Sequence, residues 1–143
     1  MQKDTIKLLR ECELGIKMAI QVMEEVMDEV RDCNFQEILV KSKDEHEKLY
    51  QEIEVYLESM EEEEKELSFV AKGMSWMETN LKLLANDRDS RIAEIIYDGG
   101  RMGIKTLSQY VNEYFYASDM AKDITYRLIS CEEKLEKEIR KYL

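Results

Sequence analysis

The chain has 143 residues, no proline and five glycines, and its residues are 37% charged and 44% hydrophobic. This balance, with few residues that interrupt helices, is typical of long amphipathic helices and predicts an all-α fold. The formal net charge of −11 at pH 7 opposes binding to nucleic acid, because that binding depends on Lys and Arg side chains displacing counterions. It opposes binding to an anionic membrane surface for the same reason.

The N-terminal sequence MQKDTIKLLREC lacks the apolar core of a secretory signal, and no apolar run approaches membrane-spanning length. We therefore expect a cytoplasmic protein. The three cysteines are odd in number and lack CxxC spacing, so neither a disulfide framework nor a zinc knuckle is predicted. One of them, Cys131, lies on an apolar stripe and is expected to be a small buried residue.

The first two predicted helices each carry an apolar stripe that polar residues interrupt. Apolar residues at alternating helical spacings predict a helix over about residues 4–32, with one carboxylate, Glu13, on the stripe. A second helix, over about residues 34–64, has Ser42 and His46 on its stripe. The turn between them is so short that only an antiparallel hairpin fits.

The turn sequences predict where the other helices begin. In "DCNFQE", Asn34 is predicted to cap the second helix, and Glu37 completes a capping-box pattern. The turn signals "ANDRDSR" and "YFYASDMA" separate three more helical segments, with Ser118 as the N-cap of the last. These segments lie over about residues 67–84, 90–114 and 118–142. No repeat or flexible linker divides them, so residues 1–143 are predicted to form a single helical-bundle domain.

The segment over about residues 67–84 is long enough to connect the two ends of a bundle, since it spans roughly 25 to 30 Å with its flanks. This length predicts two antiparallel helix hairpins joined by a long helical crossover. Two stretches, "GMSWMETNLKLL" from Gly73 and "DGGRMGIKTLSQYVNEY" from Asp98, are similar to segments of small, uncharacterised bacterial helical proteins. In layout and in these stretches, the chain resembles the ferritin-like four-helix-bundle superfamily.

The resemblance implies a di-metal site that this sequence provides only in part. Members that bind iron or manganese use Glu from two helices and Glu-x-x-His from the other two. Glu13 and His46 fit two of these positions, but Lys43 stands where the motif requires Glu, and the last helix has no histidine. Counted from the turn, Glu13 and His46 differ in level by roughly 12 Å, which is too far for ligands of one ion.

Structural roles are therefore favoured for both residues. Glu13 is expected at the level of Glu54 and of Tyr110, whose hydroxyl could donate a hydrogen bond to it. His46 is expected at the level of residues 98–102, as a core histidine whose hydrogen bonds are satisfied.

The glycine-rich stretch "DGGRMGIKT" is interpreted as a packing feature. Its spacing is not that of a phosphate-binding loop, and no strand precedes it. Gly99 and Gly103 are four residues apart on one helix face, which predicts close approach of the crossover helix near Trp76.

The sequence thus favours a non-catalytic, cytoplasmic ferritin-like bundle that lacks a complete di-metal site and acts through protein contacts or self-association. Two alternatives stay open. One is a metal-binding or redox protein that holds iron, manganese or zinc with a non-standard ligand set such as His46, Asp98 and Glu136. The other is a carrier of an apolar small ligand, which predicts a pocket lined by aromatic residues between the helices.

Overall fold

The computed structural model describes residues 2–60 and 88–143, and these form four α-helices and one short 3-10 helix, with no β-strand among them. The helices are α1 (Gln2–Met27), α2 (Cys33–Ser59), α3 (Arg88–Glu113) and α4 (Asp119–Ile139), and the 3-10 helix is Arg140–Tyr142. The all-α prediction is confirmed for this part of the chain. None of these four helices is long and apolar enough to cross a membrane. The predicted crossover helix and Trp76 lie outside the described residues.

Buried apolar side chains of the described helices gather toward the two ends of the bundle. One cluster joins the start of α1, the end of α2 and the turn between α3 and α4. Its fully buried members include Leu8, Leu9, Ile53 and Ile124. The other joins the end of α1, the start of α2, the start of α3 and the end of α4. Its members include Met23, Phe35, Ile92 and Ile139. Removing each such side chain from water stabilises the fold by about 1.5–3 kcal/mol.

Side-chain caps fix where two of the helices begin. Asp32 is the N-cap of α2, because its backbone is extended and its carboxylate accepts a hydrogen bond from the backbone N–H of Phe35 at 2.9 Å. The predicted cap, Asn34, is therefore wrong, since that residue already lies within the helix. Ser118 is confirmed as the cap of α4, where its hydroxyl accepts a hydrogen bond from the backbone N–H of Ala121 at 3.2 Å.

Hydrogen bonds place the start of α3 beside the turn between α1 and α2. The two carboxylate oxygens of Asp89, in the first turn of α3, accept hydrogen bonds from the backbone N–H groups of Arg31 and Asp32 at 2.8 Å each. The guanidinium of Arg88 also donates to the carboxylate of Glu29. The N–H groups of a turn need acceptors, and Asp89 provides two of them.

At the other end, the turn between α3 and α4 is tied to the start of α1. The hydroxyl of Thr5 accepts a hydrogen bond from the backbone N–H of Ser118 at 2.8 Å. Met60, which follows α2, packs against the apolar cluster at this same end. The described residues that border the stretch 61–87, Met60 and Arg88, therefore lie at opposite ends of the helices.

Candidate functional site

His46, the single histidine of the sequence, is completely buried, and both of its ring nitrogens have hydrogen-bond partners. Nδ1 lies 2.7 Å from the backbone oxygen of Ser42, one turn earlier on α2, and Nε2 contacts Glu132 Oε1 on α4. A carbonyl oxygen can only accept, so Nδ1 carries a proton and donates to Ser42. The second hydrogen bond therefore has its proton either on His46 Nε2 or on Glu132 Oε1.

The surroundings of His46 favour its charged form. Burial works against a charged imidazole, but the hydrogen bond and the negative charge of Glu132 outweigh burial and raise the pKa of His46. The Ser42 carbonyl and the Glu45 carboxylate act in the same direction. The pair is thus an imidazolium that donates to a carboxylate, and the two charges balance inside the core.

A second contact between α2 and α4 lies directly beside this pair. The Cys131 thiol donates to Glu45 Oε2 at 3.4 Å, and Lys134 Nζ donates to Glu45 Oε1 at 3.0 Å. Burial, together with the nearby Glu45 carboxylate, raises the pKa of Cys131 to about 12. The prediction of Cys131 as a small buried residue is confirmed, and its thiol stays protonated and therefore unreactive at neutral pH.

The candidate metal ligands His46, Asp98 and Glu136 are not brought together. Asp98 is exposed, Glu136 accepts hydrogen bonds from two arginines at 3.0 and 3.1 Å, and His46 contacts Glu132. Within residues 2–60 and 88–143, no three His, Cys, Asp or Glu side chains form a group that could hold a metal ion. Glu136 lies one turn beyond the carboxylate that reaches the histidine, and the arginines neutralise it.

Sequence reasoning missed Glu132 as the partner of His46. The predicted level of the histidine agrees with the structure, because a Cβ at Gly100 of the glycine-rich stretch would lie 3.3 Å from Glu132 Oε2. The position of Glu132 in α4 provides a signal for its burial. Glu132 follows Leu128 by four residues and precedes Leu135 by three, and both leucines belong to the core. A carboxylate on such a stripe needs a buried partner.

Two further buried carboxylates lie on α1. Glu13 faces Glu54 at the predicted level, and Arg10 Nη1 lies 3.3 Å from its Oε1. The Tyr110 hydroxyl, expected at Glu13, forms its hydrogen bond with Glu11 instead. Positions two apart on a helix point about 200° away from each other, so only Glu11 faces α3. Burial is the main cause that raises the pKa of Glu11 and of Glu13 to about 7 each.

A groove between α1, α3 and α4 passes beside Glu132, with a cavity of about 80 Å³. Its described walls contain methionine, glycine and aliphatic side chains and no aromatic ring, which differs from the predicted aromatic pocket. Glu132 is the charged residue among these described wall residues. A Cβ at Gly103 would meet no atom of the described residues within 4 Å. The predicted packing partner of the glycines, the crossover helix near Trp76, lies outside the described residues, so the packing interpretation stays a prediction.

Comparisons with known proteins do not assign the chain to a family. It matches no protein-family model, no curated protein and no solved structure.

We predict that the protein is more stable at about pH 5.5 than at about pH 8. Glu11 and Glu13 have pKa values near 7 in the folded state and near 4.5 otherwise, so the folded state binds more protons between these values and its stability falls as the pH rises through them. His46 acts in the same direction. Its raised pKa gives stability that is fully present below about pH 6.5 and is lost as the pH rises through the folded value.

Urea titrations at the two pH values should show the free energy of unfolding falling by on the order of 2 kcal/mol. A variant with Glu11→Gln and Glu13→Gln serves as the control, because it cannot titrate at these positions and should have a flatter pH profile. The lowered pKa values of Glu45, Glu52 and Glu136 affect stability only at more acidic pH. Stability that rises toward pH 8 would contradict the prediction.

We also predict that removing one member of the buried pair costs more than removing both. His46→Leu leaves the Glu132 carboxylate buried without its partner, and the expected loss is about 3–5 kcal/mol. Glu132→Met leaves the imidazole in the same situation. The double variant should recover part of either loss, because two apolar side chains need no hydrogen-bond partners.

Urea unfolding of the four proteins at about pH 7 measures this double-mutant cycle. The matched control is the exposed ion pair between Glu52 and Arg127, where Glu52→Ala should cost at most about 1 kcal/mol although its oxygen lies 2.6 Å from the guanidinium. Single variants of the buried pair that cost no more than this control would show that the pair is not structural.

Proposed function

We propose that this chain is a cytoplasmic, non-catalytic helical bundle of ferritin-like type that lacks a complete di-metal site and acts through protein contacts or self-association. The ferritin-like part is supported by the contacts at the helix ends. Asp89 lies beside the turn between α1 and α2, and Thr5 lies beside the turn between α3 and α4. In such an arrangement, α1 with α2 and α3 with α4 are antiparallel hairpins, and a crossover joins opposite ends of the bundle.

The state of His46 supports a structural role over a ligand role. A histidine that binds a metal must offer an unprotonated ring nitrogen. Nδ1 donates to Ser42, and the raised pKa favours a proton on Nε2 as well. A metal at this ring would have to displace the hydrogen bond to Glu132. Two buried groups that balance each other are therefore the better description.

One observation carries the proposal of protein contacts, and it is an exposed aromatic pair at the turn between α3 and α4. The side chains of Phe115 and Tyr116 are 66% and 70% exposed, and their rings lie edge to face with centroids 5.3 Å apart. The turn is held in place, since Tyr116 N donates to Asp4 at 3.1 Å and Lys122 Nζ donates to Phe115 O at 2.7 Å. Aromatic side chains on an ordered backbone are typical of binding hot spots, because little freedom is lost on contact.

If the aromatic pair mediates self-association, sedimentation velocity at increasing protein concentration should show species larger than a monomer. A variant with Phe115→Ser and Tyr116→Ser should weaken this association by about tenfold or more. Val40→Ser is the matched control, because Val40 is an exposed apolar residue of α2. A monomer at every concentration would remove self-association from the proposal, and equal association of all three proteins would remove the aromatic pair.

The metal-binding alternative is separated by a direct measurement. Protein purified without chelator should contain no stoichiometric metal, and titration with iron, manganese and zinc should leave its thermal midpoint unchanged. Stoichiometric binding that His46→Ala abolishes would replace our proposal with the metal-binding or redox alternative. Variants of Asp98 and Glu136 would then test whether these residues complete the ligand set.

A further inference from the structure

The groove between α1, α3 and α4 contains an acceptor that the contacts proposed above do not use. Glu132 Oε1 is held by His46 Nε2, whereas Glu132 Oε2 accepts no hydrogen bond from any residue within 2–60 and 88–143. The residue is only 8% exposed, and it lies in the wall of the groove. Oε2 is on the groove side, because a Cβ at Gly100, another wall residue, would lie 3.3 Å from it.

The rest of the described wall is suited to a short alkyl chain. It is formed by methionine and aliphatic side chains from three helices and by glycines of α1 and α3. Its flexible and aliphatic side chains include Met18, Met23, Met102, Ile95 and Ile96. The cavity of about 80 Å³ is roughly half the size of an engineered cavity that binds benzene. A chain of about three to five non-hydrogen atoms therefore fits, with one end toward the open side.

The glycines of α3 leave space along one described wall of the groove, because they have no side chain. Glycine is the poorest helix former except for proline, so a glycine inside a helix calls for a local reason. Among residues 2–60 and 88–143, no packing contact provides one at Gly103, because a Cβ there would meet none of their atoms within 4 Å. A larger side chain at this wall position would reduce the space between the described walls of the groove. At Gly100, any side chain would press against the carboxylate.

The geometry points to a binding site for a short aliphatic molecule that has a hydrogen-bond donor at one end, such as an alcohol or a primary amine. Its head donates to Glu132 Oε2, and its alkyl chain lies among the methionines of the groove. A carboxylate can only accept, so a donor head is complementary and an anionic head is repelled. His46 holds the carboxylate in one orientation, and Ser42 holds the ring in turn. This site deepens the small-ligand alternative and does not depend on the aromatic pair at Phe115 and Tyr116.

Methionine-methyl NMR tests the site directly. Butan-1-ol and butylammonium are titrated separately, with butyrate as the anionic control of equal length. Saturable shifts are expected at Met18, Met23 and Met102 with either donor, and dissociation constants in the millimolar range suit so small a ligand. The methyl groups of Met60 and Met120, which pack on the apolar cluster at one end of the bundle, should not shift. Butyrate that binds as tightly as butan-1-ol would overturn the inference.

Two variants locate the binding within the groove. Gly103→Leu places a side chain in the open space and should abolish the shifts, whereas Ser108→Leu on the exposed side of α3 should keep them. Glu132→Met removes the acceptor and should weaken butan-1-ol binding by about tenfold. If that variant does not fold, the double variant with His46→Leu takes its place, because it leaves no partner unpaired.

Other occupants give different results in the same experiment. Groove methyl groups that shift with protein concentration alone would assign the groove to a second copy of the chain and overturn the small-ligand site. Shifts that persist unchanged in Gly103→Leu would place the binding elsewhere, which also overturns it. Neither result bears on self-association through Phe115 and Tyr116, because sedimentation of the serine variant measures that separately.

Discussion

The hydrogen bond between His46 and Glu132 constrains how α2 meets α4. Apolar contacts at the two ends of the bundle supply most of the stability, but they are non-directional and tolerate small rotations of a helix. A buried charged pair does not tolerate such a rotation. If one helix turned by one residue, both charged groups would be left in the core without a partner. The carbonyl of Ser42 adds a further constraint, since it fixes which ring nitrogen faces α4.

This constraint extends to α3 through the second carboxylate oxygen. Glu132 Oε2 lies against the backbone of α3 at Gly100, where a side chain would come within 3.3 Å of it. The three helices α2, α3 and α4 thus meet around the carboxylate of Glu132. Glu132 belongs to α4, its carboxylate contacts His46 of α2, and Gly100 of α3 leaves room for it. Glycine lowers the helix propensity of α3, and at Gly100 the contact with Glu132 gives a specific physical reason for it. The groove that opens beside it is a consequence of the same lack of side chains.

The sequence predicts the four described α-helices well, because apolar spacing and turn signals are local properties. It also predicts the level of His46, since level depends only on counting residues along a helix of known rise. It does not predict which acid His46 meets. Glu132, Glu133 and Glu136 all lie near that level, and the choice depends on how α4 is rotated about its own axis. Each residue turns the helix by about 100°, so a small error in rotation selects a different carboxylate.

The same reasoning explains the error at the start of α2. Asn34 and Asp32 are both good capping residues, and the sequence pattern with Glu37 favours the former. The backbone decides between them, because a cap needs an extended conformation, and only Asp32 has it. Asp32 N is in addition held by Asp89 of α3, so a long-range contact stabilises the cap. A local sequence pattern does not encode tertiary contacts of this kind.

An acidic chain with several inward-facing carboxylates suggests a cation site, and the arrangement of partners is what argues against that interpretation for the described helices. Metal ligands must converge on one point, whereas these carboxylates have separate partners. Glu132 is balanced by a histidine and Glu136 by arginines of α3 and of the 3-10 helix, and Glu11 shares a hydrogen bond with the hydroxyl of Tyr110. Each pairing leaves the acid fewer free lone pairs for a shared ion. Glu11 and Glu13 each have one buried oxygen without a hydrogen bond from the described residues, whereas the second oxygen of Glu132 lies on the side of the groove. A single acceptor in an apolar groove suits a neutral or cationic donor head better than a metal that needs several ligands.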